Sequence, residues 1–349
     1  MKHTFLLAPG SLNTLTGGYE YDRRMVGGLR DRGWRVSVRE LDESFPRPTA
    51  AALEHAARTL AGIPDDTTVL IDGLALGAMP AEAEREARRL RLVAIVHHPL
   101  AEETGLDSGV AASLAASERV ALAHVRLVIV TSEATARTLK KYGVDRDRIA
   151  VVEPGTDRAP VANGSNGSFV HLLCVATLVP RKGHETLVSA LAVIKRLDWR
   201  LNCVGSLTRD PPTVDRVRTL LRTSGVEDRV RLAGEVEGAP LAEYYDSGDV
   251  FVLPTFYEGY GMAVANALAR GLPVISTRTG AIPELVRVES PAPAGILIPA
   301  GDPQELAAAL KKVIENPAVR EQYAQGARSV RNTLPTWEDA AGKLARVIQ

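Results

Sequence analysis

Residues 243–286 read EYYDSGDVFVLPTFYEGYGMAVANALARGLPVISTRTGAIPELV. Two short apolar runs, 250–254 and 273–277, flank a helical run at 261–269. Neither apolar run alternates with polar residues, so each requires cover on both faces, as a strand of a parallel sheet has. Strand, glycine-bearing turn, helix and second strand together form one unit of a doubly wound α/β sheet.

The same alternation extends outward. Further strand-like runs lie at 170–176, 200–204, 230–233 and 295–298, with helical stretches such as 185–195 between them. Three closing helices follow at 303–316, 317–331 and 335–349. The first half repeats the pattern at 4–8, 35–41, 68–72, 92–96, 127–131 and 149–152, with helical stretches that include 19–32 and 81–89. Between the halves, VANGSNGS at 161–168 is rich in Gly, Ser and Asn and carries no charge, the composition of a flexible linker. The sequence therefore predicts two α/β domains, 1–162 and 169–349, joined by a linker at 163–168. The last helix is a candidate to return to the N-terminal domain. Ligands of such sheets bind at the carboxyl ends of strands, so a central cleft faced by both domains is the expected site.

Composition narrows the function. The 349 residues include 42 Lys+Arg and 42 Asp+Glu, a formal net charge of zero. Neither half is a basic module, which argues against nucleic acid as a partner. The start shows no secretory pattern and the chain has no long apolar run, so a cytoplasmic protein is expected. The two cysteines, Cys174 and Cys203, cannot form a disulfide framework and read as small core residues. Arg85, Arg88, Arg89 and Arg91 form a basic cluster interleaved with Glu82, Glu84 and Glu86. A solvated helix face is the plainer reading; peripheral contact with anionic lipid is the alternative.

Four strand-end segments carry candidate chemistry. After the first strand, paired glycines Gly17 and Gly18 open a helix, where backbone amides can approach a phosphate or a sugar. At 179–185, Arg181 and Lys182 precede another helix and form a cationic clamp suited to a diphosphate. In 254–263, Glu258 can accept hydrogen bonds from sugar hydroxyls, and the amides of Gly259, Tyr260, Gly261 and Met262 can donate to phosphate. The Gly259-x-Gly261 fragment lacks the third glycine of a dinucleotide fingerprint. Finally, His97 and His98 end a strand, where adjacent side chains point to opposite faces, so one of them is expected to face the site. Their surroundings match no standard zinc arrangement, and no metal or cofactor is expected.

Together these segments resemble glycosyltransferase family 4, the retaining enzymes of the GT-B fold. The resemblance is strongest in LVPRKGHETLVSAL at 178–191 and in 243–286; it also includes TGGYEYDRRMVGGLRDRGWRV at 16–36, VIVTSEATARTLKKYGV at 128–144 and VVEPGTD at 151–157. It implies two Rossmann-like domains, an N-terminal one for the acceptor and a C-terminal one for a nucleoside-diphosphate-sugar that is a substrate, not a cofactor. Arg181 and Lys182 match the family's diphosphate pair, and Glu258 the first acid of its paired-glutamate motif. His97 matches the strand-end histidine near the reacting centre. Gly17 and Gly18 match the loop over the donor, and Val236 belongs to the loop near the base. The implied reaction transfers a hexosyl unit with retention, without a protein nucleophile, in a site that domain closure dries.

The chain departs from that family at Asn266, which stands where the motif has its second, ribose-binding Glu. It departs again at 154–157, where PGTD replaces a Pro-Asn-Gly-Val-Asp turn. Competing readings are a non-enzymatic two-domain binding protein, a dinucleotide oxidoreductase, and another enzyme of the same fold such as a phosphorylase or a sugar-nucleotide epimerase. The acceptor is not readable; 97–106 and 44–51 are the candidate walls of its site.

Overall fold

The computed structural model describes residues 2–165, 167–287 and 292–349. It divides into two compact units, Met1–Gly155 with Pro335–Gln349, and Thr156–Leu334. Unit 1 contains β1 (His3–Pro9), β2 (Arg35–Leu41), β3 (Thr68–Asp72), β4 (Arg91–Val96), β5 (Leu127–Val130) and β6 (Ile149–Val151), in the order β2-β1-β3-β4-β5-β6. Unit 2 contains β7 (Val170–Val175), β8 (Trp199–Val204), β9 (Val230–Gly234), β10 (Val250–Leu253), β11 (Val274–Thr277) and β12 (Gly295–Ile298), in the order β12-β11-β10-β7-β8-β9. All pairings are parallel. Each sheet has one place where the chain reverses its direction of growth: between β1 and β3 in unit 1, and between β7 and β10 in unit 2. Such switch points open a crevice at the strand ends, because the connections leave to opposite sides.

The inner strands are apolar on both faces because both faces are covered, whereas the edge strands β2 and β9 keep exposed polar residues. In β10, Val250, Phe251, Val252 and Leu253 are all buried. In unit 1, successive residues of the central strands go to separate cores. Leu7, Ile71 and Ala94 join one, while Leu6, Leu70, Val93 and Ile95 join the other. The second core is closed by the helix Gly17–Asp31 and by Ala340, Leu344, Ala345 and Ile348 from the end of the chain. The last helix, Trp337–Val347, starts with a reciprocal cap in which the Thr336 hydroxyl and the Asp339 carboxylate each satisfy the other's backbone amide.

The boundary differs from the expected linker. Among the described residues of 163–168, the Asn163 side-chain amide donates to both carboxylate oxygens of Asp246 at 3.1 and 3.0 Å. The Ser165 amide donates to Asp249 Oδ1 at 3.0 Å. These contacts tie the segment to unit 2, and the division falls instead after Gly155 and again after Leu334. Asn166 lies outside the described residues. In the basic cluster, Arg89 is largely committed: it pairs with Glu86 and Asp65 and donates to the Ile63 and Leu60 carbonyls. Glu86 is itself buried, so this face is a structural bracket as well as a solvated surface. Among the described residues no helix is long and apolar enough to cross a membrane.

Leu344 is fully buried in the core that the last helix closes. Leu344→Ala should lower the stability of unit 1 by about 2–5 kcal/mol, read as an earlier urea transition. An unchanged midpoint would show that the last helix does not hold this core.

Candidate active site

In unit 2, β7 and β10 are neighbours, so the segments that follow them meet at the switch point. The Phe256 amide donates to the Arg181 carbonyl at 2.7 Å, and the Thr255 hydroxyl lies 3.0 Å from both the Arg181 and Tyr257 carbonyls. The Arg181 guanidinium donates to the Tyr257 carbonyl at 2.8 Å. Gly183 closes the turn in the left-handed region, at φ +71, and a Cβ there would lie 2.0 Å from the Pro254 carbonyl oxygen. Only glycine satisfies both constraints.

This stitching delivers the charges. Lys182 Nζ bonds Glu258 Oε1, and Arg181 Nη1 stands 3.8 Å from the same oxygen. All three side chains are mostly buried yet open at 10–17 % of their surface. Burial pushes the Glu258 carboxyl up, but the Lys182 ammonium and the Arg181 guanidinium outweigh it and hold the acid below its ordinary range. Burial pulls Lys182 down and Arg181 adds to that, against the attraction of Glu258. Two cations thus face one carboxylate. Glu258 is fixed from behind as well: its carbonyl accepts from the Ala281 amide at 3.2 Å, and a Cβ on Gly280 would lie 1.8 Å from that carbonyl oxygen.

The helix Met262–Ala269 follows directly, with Gly261 as a left-handed N-cap that offers no side-chain acceptor to the first amides. Gly259 and Met262 are half-buried and Tyr260 is buried. Asn266 stands half-buried on this helix, and its carbonyl accepts from Arg270 at 3.1 Å. Val236 follows β9 and packs against the unit 2 core.

In unit 1, His97 follows β4 and lies against the start of the helix Gly17–Asp31. Its ring meets Tyr21 edge-on at 5.4 Å between centroids. A Cβ on Gly18 would come within 3.2 Å of its Cδ2. Its Nε2 is 3.4 Å from Asp22 Oδ1 and 3.8 Å from Asp72 Oδ2. His98 turns elsewhere, with Nε2 3.6 Å from Glu103 Oε2. The structure thus brings His97, Gly17 and Gly18 into one cluster and leaves His98 out of it.

Asp22 and Asp72 were not anticipated. Asp22 sits on the buried stripe of its helix with Tyr21, Met25, Val26 and Leu29. Asp72 ends β3 and accepts the Leu74 amide at 2.7 Å. A charged residue on an apolar stripe and an acid at a strand end were the available signals. Burial, then the like charge of Asp22, push the Asp72 carboxyl up to about 7. Burial would lower His97, but Asp22 and then Asp72 outweigh it and raise its pKa. Among the described residues Asp22 Oδ1, Asp22 Oδ2 and His97 Nε2 have no aligned hydrogen-bond partner. Two groups of described residues bring three possible metal-ligand atoms within 4.8 Å of one another: Asp22 with Asp72 and His97, and Cys174 with His184 and Cys203.

A family described as Glycosyl transferases group 1 matches residues 170–316, and one described as Glycosyltransferase Family 4 matches residues 71–159. The chain belongs to glycosyltransferase family 4. An MMP alpha-(1->4)-mannosyltransferase of Mycolicibacterium hassiacum is 26% identical over 319 residues, 87% of this glycosyltransferase and 75% of that enzyme. A D-inositol 3-phosphate glycosyltransferase of Thermomonospora curvata is 30% identical over 253 residues, 66% of this chain and 58% of its relative. The chain thus spans little more than half of that relative's length. Among solved structures, a sucrose-phosphate synthase of Thermosynechococcus elongatus superposes with a TM-score of 0.82 at 22% identity, over 99% of this chain and 98% of its own. Anabaena HepE, solved with UDP and glucose, superposes with a TM-score of 0.79 at 18% identity, over 98% of both chains. These likenesses establish the Rossmann-like GT-B fold of the glycosyltransferase.

The two shifts in unit 1 have one sign. A carboxyl raised from 3.8 to about 7 leaves the folded state holding more protons, so its stabilising contribution is full below pH 3.8 and fades as pH rises to about 7. His97, also raised, likewise stabilises below its unfolded pKa and loses that contribution as pH rises through its folded value. Asp72→Asn keeps an oxygen for the Leu74 amide and removes the titration. Scanning fluorimetry against pH should show the wild type losing melting temperature relative to Asp72→Asn between about pH 4 and pH 7. Parallel curves would refute the assignment.

Proposed function

We propose that this glycosyltransferase moves a hexosyl unit from a nucleoside-diphosphate-sugar to an acceptor hydroxyl with retention of anomeric configuration. The observation that carries the reading is the meeting of Arg181, Lys182 and Glu258 at the unit 2 switch point. The solved complexes of HepE with UDP and with UDP-glucose support a nucleotide-sugar donor, and the mannosyltransferase and glycosyltransferase relatives support sugar transfer.

The chemistry follows from the charges. Departure of a nucleoside diphosphate builds negative charge on phosphate oxygen while the sugar becomes cationic at its anomeric carbon. The Arg181 and Lys182 cations meet the first of these. Preorganised cations in a partly dry crevice stabilise developing charge without reorganising. Glu258, held ionised by its two partners, accepts sugar hydroxyls, and the uncapped amides at the start of the helix Met262–Ala269 donate to donor oxygens. Asn266 is assigned to the ribose, where its amide both donates and accepts. Retention is assigned to attack on the face that the diphosphate leaves, with a phosphate oxygen taking the acceptor proton. In unit 1, His97, backed by Asp22 and Asp72, is assigned to sugar or acceptor hydroxyls, with Gly17 and Gly18 giving the donor a close backbone approach. No metal or cofactor enters this scheme.

A thermal-shift screen with UDP-, GDP-, ADP- and TDP-sugars identifies the donor, and release of sugar or nucleotide from it then reads turnover. Arg181→Ala/Lys182→Ala should keep the fold by circular dichroism and lower kcat by at least about a hundredfold; unchanged turnover in the folded double variant would overturn the clamp. Asn266→Glu adds a charge-assisted ribose contact, about 1 kcal/mol or roughly fivefold in donor Kd. An identical titrated Kd would remove Asn266 from the ribose.

A further inference from the structure

Beneath the cationic turn lies a group of side chains that the transfer chemistry does not use. Cys174 and Cys203 occupy matching positions on the neighbouring strands β7 and β8. His184 opens the helix His184–Val193, two residues after Lys182. All three are at most 3 % exposed. His184 Nε2 is 3.7 Å from Cys174 Sγ, and its Nδ1 has no hydrogen-bond partner among the described residues. The sulfur and nitrogen atoms of the three side chains lie within 4.8 Å of one another.

We propose that Cys174, Cys203 and His184 form a buried site for a thiophilic metal ion, with zinc as its occupant. Three observations carry this. The first is distance. Zinc–sulfur bonds of about 2.3 Å and zinc–nitrogen bonds of about 2.0–2.1 Å, opened at about 109–120°, separate sulfur from nitrogen by about 3.5–3.8 Å, and the observed separation is 3.7 Å. The second is donor type. Two thiols and an imidazole are the soft and borderline ligands that zinc takes, and magnesium and calcium, which want oxygen, are excluded. The third is charge. Two thiolates and one divalent cation sum to zero, so the assembled site carries no net charge into an apolar interior, where unpaired charge is costly.

The backbone prepares the site. The cysteines are held in register by the sheet, and Gly183, fixed against Pro254, sets the start of the helix that carries His184. The ring nitrogen that faces Cys174 Sγ is Nε2, so Nε2 is the ligand atom and Nδ1, without a hydrogen-bond partner among the described residues, keeps the proton. A metal here would fasten β7, β8 and the Arg181–Lys182 turn at one point. The site is independent of the transfer reaction, so either assignment can fail without the other.

The test uses the full chain without an affinity tag. After removal of loosely held metal, elemental analysis should find one zinc per chain, and competition with a chromogenic chelator should give a Kd below about 1 µM. Zinc should raise the melting temperature of the stripped chain by several degrees. Cobalt in its place should give a thiolate-to-metal absorption band in the near ultraviolet. His184→Gln and the Cys174→Ser/Cys203→Ser pair should lose the zinc and the band. Should the double variant fail to fold, His184→Gln, which keeps both thiols, carries the comparison. A folded wild-type chain that holds no more zinc than His184→Gln, or that shows no cobalt–thiolate band, overturns the proposal.

Discussion

The bond between Lys182 and Glu258 joins residues 76 positions apart in the chain, and the architecture of unit 2 is what makes it possible. Each residue follows a strand, and the two strands, β7 and β10, sit side by side where the sheet changes its direction of growth. Parallel strands all end on one edge, so the turns after neighbouring strands share a small volume. Placing two cations and an acid there costs desolvation of each ion, and that cost is met only if the geometry is held. The holding is done by backbone: the Arg181 carbonyl accepts the Phe256 amide, Arg181 itself grips the Tyr257 carbonyl, and glycines at 183 and 280 let the neighbouring carbonyls approach. The charges decorate a turn whose shape is already determined.

Unit 1 solves the same problem with the opposite sign. Its switch point gathers two carboxylates around one imidazole, and both acids are more deeply buried than any charge in the Arg181 cluster. The two clusters therefore respond differently to pH. In unit 2 the attraction of Lys182 and Arg181 keeps Glu258 ionised well below neutrality. In unit 1 Asp72 titrates at about 7, because burial and Asp22 both resist its ionisation. One cluster is a fixed electrostatic device; the other holds a proton whose occupancy changes near neutral pH, next to the histidine assigned to hydroxyl groups.

The strand pattern was legible because most strands are buried on both faces and read as short apolar runs between helices: all twelve runs are strands. The clamp and Glu258 were legible because a turn between a strand and a helix is short, so residue order alone places them at the strand end. What could not be read depends on partners distant in sequence. The Gly-Ser-Asn stretch signals backbone freedom, yet Asp246 and Asp249, some 80 residues on, bind it to unit 2. Asp22 looks like an interruption in an apolar stripe until β3 and β4 bring Asp72 and His97 to it. Cys174 and Cys203 read as core residues, and they are buried, but their register with each other and with His184 exists only once β7 and β8 pair.

The same accounting gives Asn266 a reason of its own on the transfer reading. Arg181 and Lys182 are the cations assigned to the diphosphate. The helix that begins at Met262 places residue 266 about 6 Å along its axis from that start. A second carboxylate there would add negative charge near the phosphates, in a crevice where screening is weak. Asparagine keeps a hydrogen-bonding amide for the ribose and leaves the positive potential for the phosphates. The ribose contact, made at hydrogen-bond distance, outweighs this more distant effect on the phosphates, so the departure from the paired acids weakens the hold on the donor.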